Sequence, residues 1–372
     1  MGECRGNPPV VAQKTIMNKE VQMKRGIKKA AVVFVSFLIL GALFTVWTPA
    51  VDALEHLRVG HLPVTGHAKV FVAKEQGFFA QEGIDAELIL FINSADGINA
   101  IRAGKVDVGS FGTTAPLVHI ANGADLRIIG GMMGEDASII TTAANAHKVR
   151  TLADLRGKKV ATVRLASGDA VFRGALYKAG INWKTDLQIF ELKSPPAVVE
   201  AVKSGQVDAG VIWGPFDLTV EKEGLKNVIR SRTLSPGHPC CRIAVMAPTL
   251  NEKRAVFVKY LRAVLRAEKF ALNPKNKAAT VEAIAKYVKI DKAIIEKAYY
   301  HGYLDQSSDP NVKGVKTFWV AMQKSEFVKS QQDIVSYIDT TLYKAALDSL
   351  AKENPKDPYW KNLQKVFIKR NV

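Results

Sequence analysis

From Leu57 onward, the chain alternates between two patterns of apolar positions. Short apolar runs, typical of buried strands, break into loops that contain Gly, Pro or small polar residues. After the loops, apolar residues recur at i, i+3 and i+4, which is typical of an amphipathic helix. Strands that alternate with helices predict parallel sheets with helices on both faces. The pattern therefore predicts an α/β fold.

One unit of this pattern is written twice. AIRAGKVDVGSFGT (100–113) is matched by AVKSGQVDAGVIWG (201–214), and each copy predicts the end of a helix, a Gly in the left-handed conformation and a short strand. The preceding segments 57–84 and 159–181 each predict a strand, a loop, a helix and a closing Gly-Ile. The repeat is therefore β-α-β-α-β, and it predicts two similar lobes.

The N-terminal segment has the order of a secretory signal. A basic stretch, KRGIKK, precedes the uncharged Ala30–Trp47, and small residues lead to Ala53, after which we expect cleavage and export to the periplasm. An uncleaved anchor is the alternative, because 18 apolar residues are at the lower limit for a membrane span. Translation from Met1, Met17 or Met23 is compatible with this reading.

Composition fits a two-domain globular protein and does not favour a nucleic-acid partner. The chain has 372 residues, 48% of them hydrophobic, and a formal net charge of +17. Loss of residues 1–53 would leave 45 Lys/Arg against 32 Asp/Glu. The lysines are scattered over predicted helices rather than gathered in a basic run with aromatic residues, so the charge indicates a solvated surface and a mild bias toward anionic ligands.

Cysteine use excludes a disulfide framework. Beyond the leader only Cys240 and Cys241 remain, and this adjacent pair could form a vicinal disulfide or stay as two small apolar groups. Together with His61, His67 and His238 they could form a metal site, but their spacing matches no zinc signature, so we predict neither a metal nor another cofactor.

The candidate site lies in the loops after the strands. In open parallel sheets, ligands bind beyond the carboxyl ends of the strands, and helix N-termini there favour negative charge. One such loop taken alone is better explained as a helix cap, but six of them converging from two lobes favour a binding site. With His238, the loops contribute the predicted ligand-binding residues His61, Pro63, Thr65, His67, Ser94, Gly112, Thr113, Thr114, Arg164, Ser167, Gly168, Trp213, Gly214 and Pro215.

Two of these residues allow more specific roles. Arg164 could pair with a carboxylate, sulfonate or phosphonate in a bidentate way, or it could cap a strand edge. Trp213 could be a flat wall for the ligand, or it could pack between the lobes. The sequence has no G-x-S-x-G, H-E-x-x-H, C-x-x-C, Walker or G-x-G-x-x-G motif, so we predict that the protein is not an enzyme.

The order of motifs resembles a known family. LRVGHLPVTGHAKVFVAKEQGFFAQEGIDAELILF, GKVDVGSFGTTAP, LADLRGKKVATVRLASGDAVF and SGQVDAGVIWGPF together resemble periplasmic substrate-binding proteins of ABC transporters, of the nitrate/sulfonate/taurine and thiamine-pyrimidine-precursor type. The similarity runs from Leu57 to Leu250 and more loosely through the C-terminal part.

The resemblance implies a type II periplasmic-binding-protein fold. This fold has two βα lobes joined by two crossover strands and a helical C-terminal part. The first lobe would comprise residues 54–140 and 246–372, and the second residues 141–245. The crossings would lie at 137–145 and 241–248. A ligand would be held between the lobes of a monomer, and its partners would be an ABC permease and its ATPase.

The resemblance leaves the ligand open. Sulfonate binders of this type often read W-D-P where this chain has Trp213-Gly214-Pro215, and the missing carboxylate argues against taurine or an aliphatic aminosulfonate. The segment Gly237–Cys241 resembles the cysteine-containing loops of the pyrimidine-precursor branch. We therefore predict capture of a small, anionic ligand such as a sulfonate or nitrate, with a pyrimidine-type heterocycle as the alternative. An enzyme similar to hydroxymethylpyrimidine synthase and a sensor subunit are further alternatives on the same fold.

Overall fold

The computed structural model describes residues 53–301 and 304–372, together with Gly2. The predicted signal peptide, its anchor alternative and the alternative start positions lie outside these residues. The strands are β1 Glu55–His61, β2 Ile84–Leu90, β3 Val108–Gly112, β4 Leu126–Gly134, β5 Ala137–Thr142, β6 Lys159–Val163, β7 Gln188–Leu192, β8 Ala209–Trp213, β9 Leu225–Arg230 and β10 Pro239–Met246.

Helices follow most of the strands and make up the C-terminal part. They are α1 Ala68–Glu75, α2 Phe78–Gln81, α3 Ser94–Arg102, α4 Thr114–Ala121, α5 Ser167–Lys178, α6 Pro195–Lys203, α7 Phe216–Thr219, α8 Ser231–Leu234, α9 Ala247–Glu252, α10 Arg254–Leu272, α11 Lys277–Val288, α12 Lys292–Tyr300, α13 Val312–Lys324, α14 Thr341–Glu353 and α15 Pro358–Asn371. Short 3₁₀ turns lie at Thr65–His67, Ala153–Leu155, Val220–Glu223, Pro274–Asn276 and Ile334–Tyr337.

The two sheets share one plan. The first has the order β2-β1-β3-β10-β4 and the second β7-β6-β8-β5-β9. In each, the first three strands are parallel and the fourth is antiparallel to its neighbours. The repeat keeps its register as well, since Gly60 pairs with Gly109 and Ala161 with Gly210. The α/β fold with two similar lobes is thus as predicted.

The chain crosses between the sheets twice. It leaves β4 at Gly134 and enters β5 at Ala137, and it returns between α8 and β10. The predicted lobe limits at 140/141 and 245/246 differ from this arrangement, because β5 bonds within the second sheet and β10 within the first. The partners of a strand are set by backbone hydrogen bonds to distant segments, which the local apolar pattern does not encode.

The core of the first lobe continues into the C-terminal helices. Helix α10 places Phe257, Leu261, Val264 and other apolar residues on one face, and these are fully buried in one cluster with β1, β3 and β4. Burial of each such side chain stabilises the fold by about 1.5–3 kcal/mol.

The second lobe has two smaller cores, one on each face of its sheet. Val160 belongs to one and its neighbour Ala161 to the other, because side chains alternate along a strand. Across residues 53–301 and 304–372, we find no helix with the combined length and apolarity needed to cross a membrane.

Candidate ligand-binding cleft

Loops of both lobes meet at two adjoining cavities. The inner cavity, of about 20 Å³, is lined by Leu62, Val64, Ser94, Gly112, Met133, Ala137, Ala166, Ser167, Gly168, Trp213, Cys240 and Cys241. The outer cavity, of about 170 Å³, is lined by Leu62, Pro63, Val64, Ile92, Ser194, Pro195, Pro196, Trp213 and Phe216. Leu62, Val64 and Trp213 border both, so the two cavities form one cleft between the lobes.

The lobes touch across the inner cavity. The Ser167 hydroxyl, at the start of α5, donates to the carbonyl oxygen of Cys240 in β10 at 2.6 Å. The inner cavity has room for about one water molecule. The cleft is therefore closed at its inner end and wider at its mouth.

Glycine is required at two positions of this contact. A Cβ on Gly112 would lie 2.9 Å from the Ser94 hydroxyl, and one on Gly168 would lie 2.9 Å from the Cβ of Ala137. Ser94 uses the space beside Gly112 to accept its backbone N–H at 2.9 Å. A larger residue at Gly112 or Gly168 would hold the walls of the inner cavity apart.

The starts of two helices face the inner cavity. Helix α3 begins at Ser94 and α5 at Ser167, and both serines line the cavity. The first N–H groups of a helix lack intrahelical partners and carry the positive end of its dipole, so they favour negative charge. The Asn93 side chain, by accepting the N–H of Asp96, caps α3.

The walls are otherwise neutral. Of the described residues that line the two cavities, none is Asp, Glu, Lys, Arg or His. A negative group in the cleft would therefore be met by N–H and hydroxyl donors, and a ligand ammonium would meet no carboxylate there.

The structure sorts the predicted residues into two sets. Pro63, Ser94, Gly112, Ser167, Gly168 and Trp213 line the cavities, whereas His61, Thr65, His67, Thr113, Thr114, Arg164, Gly214, Pro215 and His238 do not. The second set, apart from the exposed Arg164, is buried. A ligand role for any of these residues stays a prediction.

The first two histidines support the loop after β1 from behind. His61 packs edge-on against Phe71, with ring centroids 5.0 Å apart, and donates from Nδ1 to the Leu62 carbonyl at 3.2 Å. The Nδ1 of His67 accepts the backbone N–H of Leu62, also at 3.2 Å. Burial lowers the pKa of His61 and brings that of His67 well below its usual value. Both rings are therefore neutral, and they hold Leu62 in the wall of the cleft.

The other residues outside the cavities have structural contacts. Thr113 donates from its backbone N–H and its hydroxyl to the Cys240 carbonyl, at 2.8 and 3.1 Å. Burial lowers the pKa of His238, whose Nδ1 donates to the Ser235 carbonyl at 2.8 Å. The hydroxyls of Thr65 and Thr114 have no hydrogen-bond partner within the described residues.

The Gly214–Pro215 turn encloses a buried carboxyl. Its peptide bond is cis, and a Cβ on Gly214 would lie 2.8 Å from Oδ1 of Asp136. Burial, reinforced by the nearby Asp217, raises the pKa of Asp136 well above its usual value. Asp136 lies on the first crossing between the sheets and does not line either cavity. The carboxyl of Asp136 therefore fills the space beside Gly214.

Several lining residues carried no recognisable signal in the sequence. Ile92, Met133 and Ala137 are apolar or small, and in a sequence such residues look the same as core. Leu62, Val64 and Ala166 lie within loops that the strand-end rule marks, but their apolar side chains were not among the predicted residues. Ser194, Pro195, Pro196 and Phe216 lie in loops that the strand-end rule had marked, although they were not among the predicted residues. Cys240 and Cys241 were considered for a bridge, for a metal or as two small apolar groups, and they were not among the predicted ligand-binding residues.

The two cysteines are free thiols. Their Sγ atoms are 3.9 Å apart, well beyond the length of about 2.05 Å of a disulfide bond. Contact with Cys241 and burial raise the pKa of Cys240 well above its usual value. No cluster of three or more His, Cys, Asp or Glu suited to a metal ion occurs in the described part of the chain.

Comparison with known proteins identifies binding proteins as relatives. A protein of Brucella abortus (strain 2308) that is named as a binding protein is 28% identical over 274 residues, covering 72% of this chain and 82% of the relative. The taurine-binding periplasmic protein of Escherichia coli (strain K12) is 22% identical over 224 residues, covering 59% of this chain and 68% of the relative.

Solved structures confirm the periplasmic-binding-protein fold. The periplasmic nitrate-binding protein NrtA from Synechocystis PCC 6803 superimposes with a TM-score of 0.69 at 17% identity, covering 80% of this chain and 89% of that one. The alkanesulfonate-binding protein SsuA from Xanthomonas axonopodis pv. citri, bound to MOPS, gives 0.66 at 19% identity, covering 77% and 98%.

These relatives confirm the resemblance predicted from the sequence. A match to a family model also assigns the chain to a family. The model of the NMT1-like family matches residues 52–285, which is more than half of the chain. The protein belongs to the NMT1-like family.

Proposed function

We propose that the protein is the solute-binding component of an ABC import system and not an enzyme. It captures one small molecule between its lobes and presents the closed form to a membrane permease. The observation that carries this proposal is the cleft itself, whose walls come from matching loops of both lobes. The names of its relatives, which include aliphatic sulfonate-, taurine- and nitrate-binding proteins, support it.

The ligand that fits this cleft best is a monovalent oxyanion with an apolar body, such as an alkyl or aryl sulfonate. The starts of α3 and α5, with the hydroxyl of Ser94, provide donors for the oxyanion toward the inner end, where the lobes must move apart to admit it because the inner cavity has room for about one water molecule. Ile92, Phe216 and the prolines of the outer cavity provide an apolar surface for the body. Taurine fits less well, because its ammonium would meet no carboxylate among the lining residues. Nitrate would use the inner donors alone.

A neutral heterocycle of the pyrimidine type is the second candidate. The absence of Asp, Glu, Lys, Arg and His from the described cavity walls favours an uncharged ligand, and Trp213 borders both cavities as a flat surface. Stacking on an aromatic ring contributes about 0.5–1.5 kcal/mol beyond the burial of its area.

Ligand capture would proceed by closure of the two lobes. Within residues 53–301 and 304–372, the chain passes between the sheets at two places, which can act as a hinge. A ligand that contacts both lobes binds the closed form better than the open form and shifts the population toward it. The permease would recognise the closed form. No covalent bond of the ligand is made or broken. We place this event in the periplasm, after removal of the signal peptide.

A thermal melting screen tests the proposal. The compounds are alkyl and aryl sulfonates, taurine, nitrate, bicarbonate, carboxylates and pyrimidines. A cognate ligand at 100 times its Kd should stabilise the folded protein by about 2.7 kcal/mol and raise the melting temperature accordingly. Gly112→Ala should weaken that shift, whereas Ser204→Ala, at an exposed serine outside the cleft, should not. Turnover of any compound, with no compound raising the melting temperature, would refute a binding protein.

A further inference from the structure

Two adjacent thiols face the same cavity. In a regular strand, neighbouring side chains point to opposite faces. In β10, however, the register against β4 shifts between Pro239 and Cys241 and again between Cys241 and Arg242. Cys240 and Cys241 consequently both line the inner cavity, with their Sγ atoms 3.9 Å apart. The Met133 thioether borders the same space, so the floor of the cleft is rich in sulfur.

The peptide group between the two cysteines also joins the lobes. The carbonyl oxygen of Cys240 accepts the N–H and the hydroxyl of Thr113, which belong to the first lobe. It also accepts the hydroxyl of Ser167 at 2.6 Å, which belongs to the second lobe. A change in the orientation of this one carbonyl would therefore act on both walls of the cleft.

A disulfide between neighbouring residues would reorient that carbonyl. The two sulfur atoms would have to approach to about 2.05 Å, closing an eight-membered ring that contains the Cys240–Cys241 peptide group. A planar trans peptide in an extended strand resists closure of so small a ring, so the peptide group must twist or rotate. The three hydrogen bonds to the Cys240 carbonyl are positioned for the open dithiol, and the twist would misalign them.

We propose that Cys240 and Cys241 are a redox-active dithiol, and that its oxidation to a vicinal disulfide displaces the Cys240 carbonyl and releases the contact with Ser167. The oxidant is a low-molecular-weight disulfide that enters when the lobes part. One cysteine thiolate attacks it, forms a mixed disulfide and expels one thiol. The second cysteine thiolate then attacks the sulfur of the first, closes the ring and expels the other thiol. Two electrons and two protons thus pass from the cysteine pair to the oxidant.

Thiol chemistry tests the modification itself. The full chain carrying Cys4→Ser, in which Cys240 and Cys241 are the remaining cysteines, is incubated with glutathione disulfide and then unfolded. We expect a monomer with no free thiol and a mass lower by about 2 Da, the two hydrogens lost on ring closure. Cys240→Ser and Cys241→Ser should each stop at a glutathione adduct or a free thiol. Two free thiols, a lasting adduct or a disulfide-linked dimer in the parent protein would overturn the proposal.

A double-mutant comparison tests the link to the lobes and needs no ligand, so its result is independent of the proposed transport role. Oxidation should lower the melting temperature of the parent protein by about 2 °C or more. Ser167→Ala should lower that of the reduced protein and shrink the difference between the two redox forms, because the interlobe bond is already absent. Ser204→Ala is the matched control and should keep the full difference. Equal melting of the two forms, or the same difference in Ser167→Ala as in the parent, would show that the disulfide does not act through this contact.

Discussion

The loops that follow β1 and β6 occupy matching places in the two lobes, yet buried groups of different chemistry support them. The loop after β1 is backed by neutral, uncharged histidine rings, His61 and His67. The loop after β6 leads into α5, where the buried Asp169 pairs with Arg173 at 2.8 and 3.1 Å. The repeat thus conserves the backbone plan between the lobes but not the chemistry that holds it. We therefore expect acid to destabilise the loop after β1, and loss of one charge of the Asp169–Arg173 pair to destabilise the loop after β6.

The ion pair of the second lobe is part of a larger cluster. Arg173 also donates to Glu191 at 2.7 Å, and its guanidinium lies 4.2 Å from the ring centre of Trp183. Burial raises the pKa of Asp169, while Arg173 opposes that shift. Removal of Arg173 would leave a carboxylate buried without its main partner.

The largest effect is therefore expected for Arg173→Leu. Breaking a buried ion pair by removing one partner costs about 3–5 kcal/mol of unfolding free energy. Urea unfolding followed by circular dichroism measures this loss. Arg156→Leu is the matched control, because Arg156 pairs with Asp186 at a half-exposed surface position, where such pairs contribute about 0–1 kcal/mol. Similar losses in the two variants would mean that the pair with Asp169 does not support the second lobe.

The residues that pack behind the two loops also show which features of the fold and of the cleft could be predicted from the sequence. The repeat, its helix ends and its strands are local signals, so the two similar β-α-β-α-β units could be predicted from the repeated motif, the apolar periodicity and the Gly positions, whereas the crossover strands were expected only from the family resemblance. The strand-end rule placed Ser94 and Ser167 in loops that border the cleft. The rule marks a whole loop, so it could not distinguish these two serines, which line the cavity, from His61 and His67, which lie directly behind its wall.

Other features depend on contacts between distant segments. Met133 and Ala137 border the inner cavity because β4 and β5 flank the crossing between the sheets, and nothing in their apolar character marks them. The pairing of Asp169 with Arg173 has the i, i+4 spacing of a helix, but its burial arises from the packing of α5 against the rest of the protein. These residues could be assigned only once the lobes were placed against each other.

A smaller effect is expected where α5 approaches the first crossing. Gly168→Ala would place a Cβ 2.9 Å from that of Ala137, which cannot rotate away. Such overpacking costs about 1–3 kcal/mol, partly offset by the better helix propensity of Ala. Thermal and urea unfolding should show a net loss.

Gly174→Ala, in the same helix, provides the matched control. Its nearest neighbour would be the Cβ of Ala321 at 3.6 Å, an ordinary contact, so the helix should gain up to about 1 kcal/mol. On the side of β1, Gly66→Ala would meet the flexible side chain of Met133 instead, and we expect it to cost less than Gly168→Ala. A gain of stability in Gly168→Ala would contradict a tight approach at the cleft.

The smallest effect concerns the acid sensitivity of the loop after β1. Because the folded protein lowers the pKa of His67 below the value of about 6.5 in the unfolded chain, the unfolded state binds more protons below that pH. The contribution of the neutral His67 ring to the free energy of unfolding is therefore fully present above pH 6.5, and it is lost as the pH falls toward the pKa of His67 in the folded protein. His67→Asn keeps an acceptor for the N–H of Leu62 but does not titrate. Toward acid, the unfolding free energy of this variant should therefore fall less steeply than that of the parent protein, by up to about 1.4 kcal/mol per pH unit.

Urea unfolding at several pH values from 5 to 8 measures the slope, with the exposed His147→Asn as the matched control. If His67→Asn loses stability toward acid as steeply as the parent protein, a neutral His67 ring is not what holds this wall of the cleft.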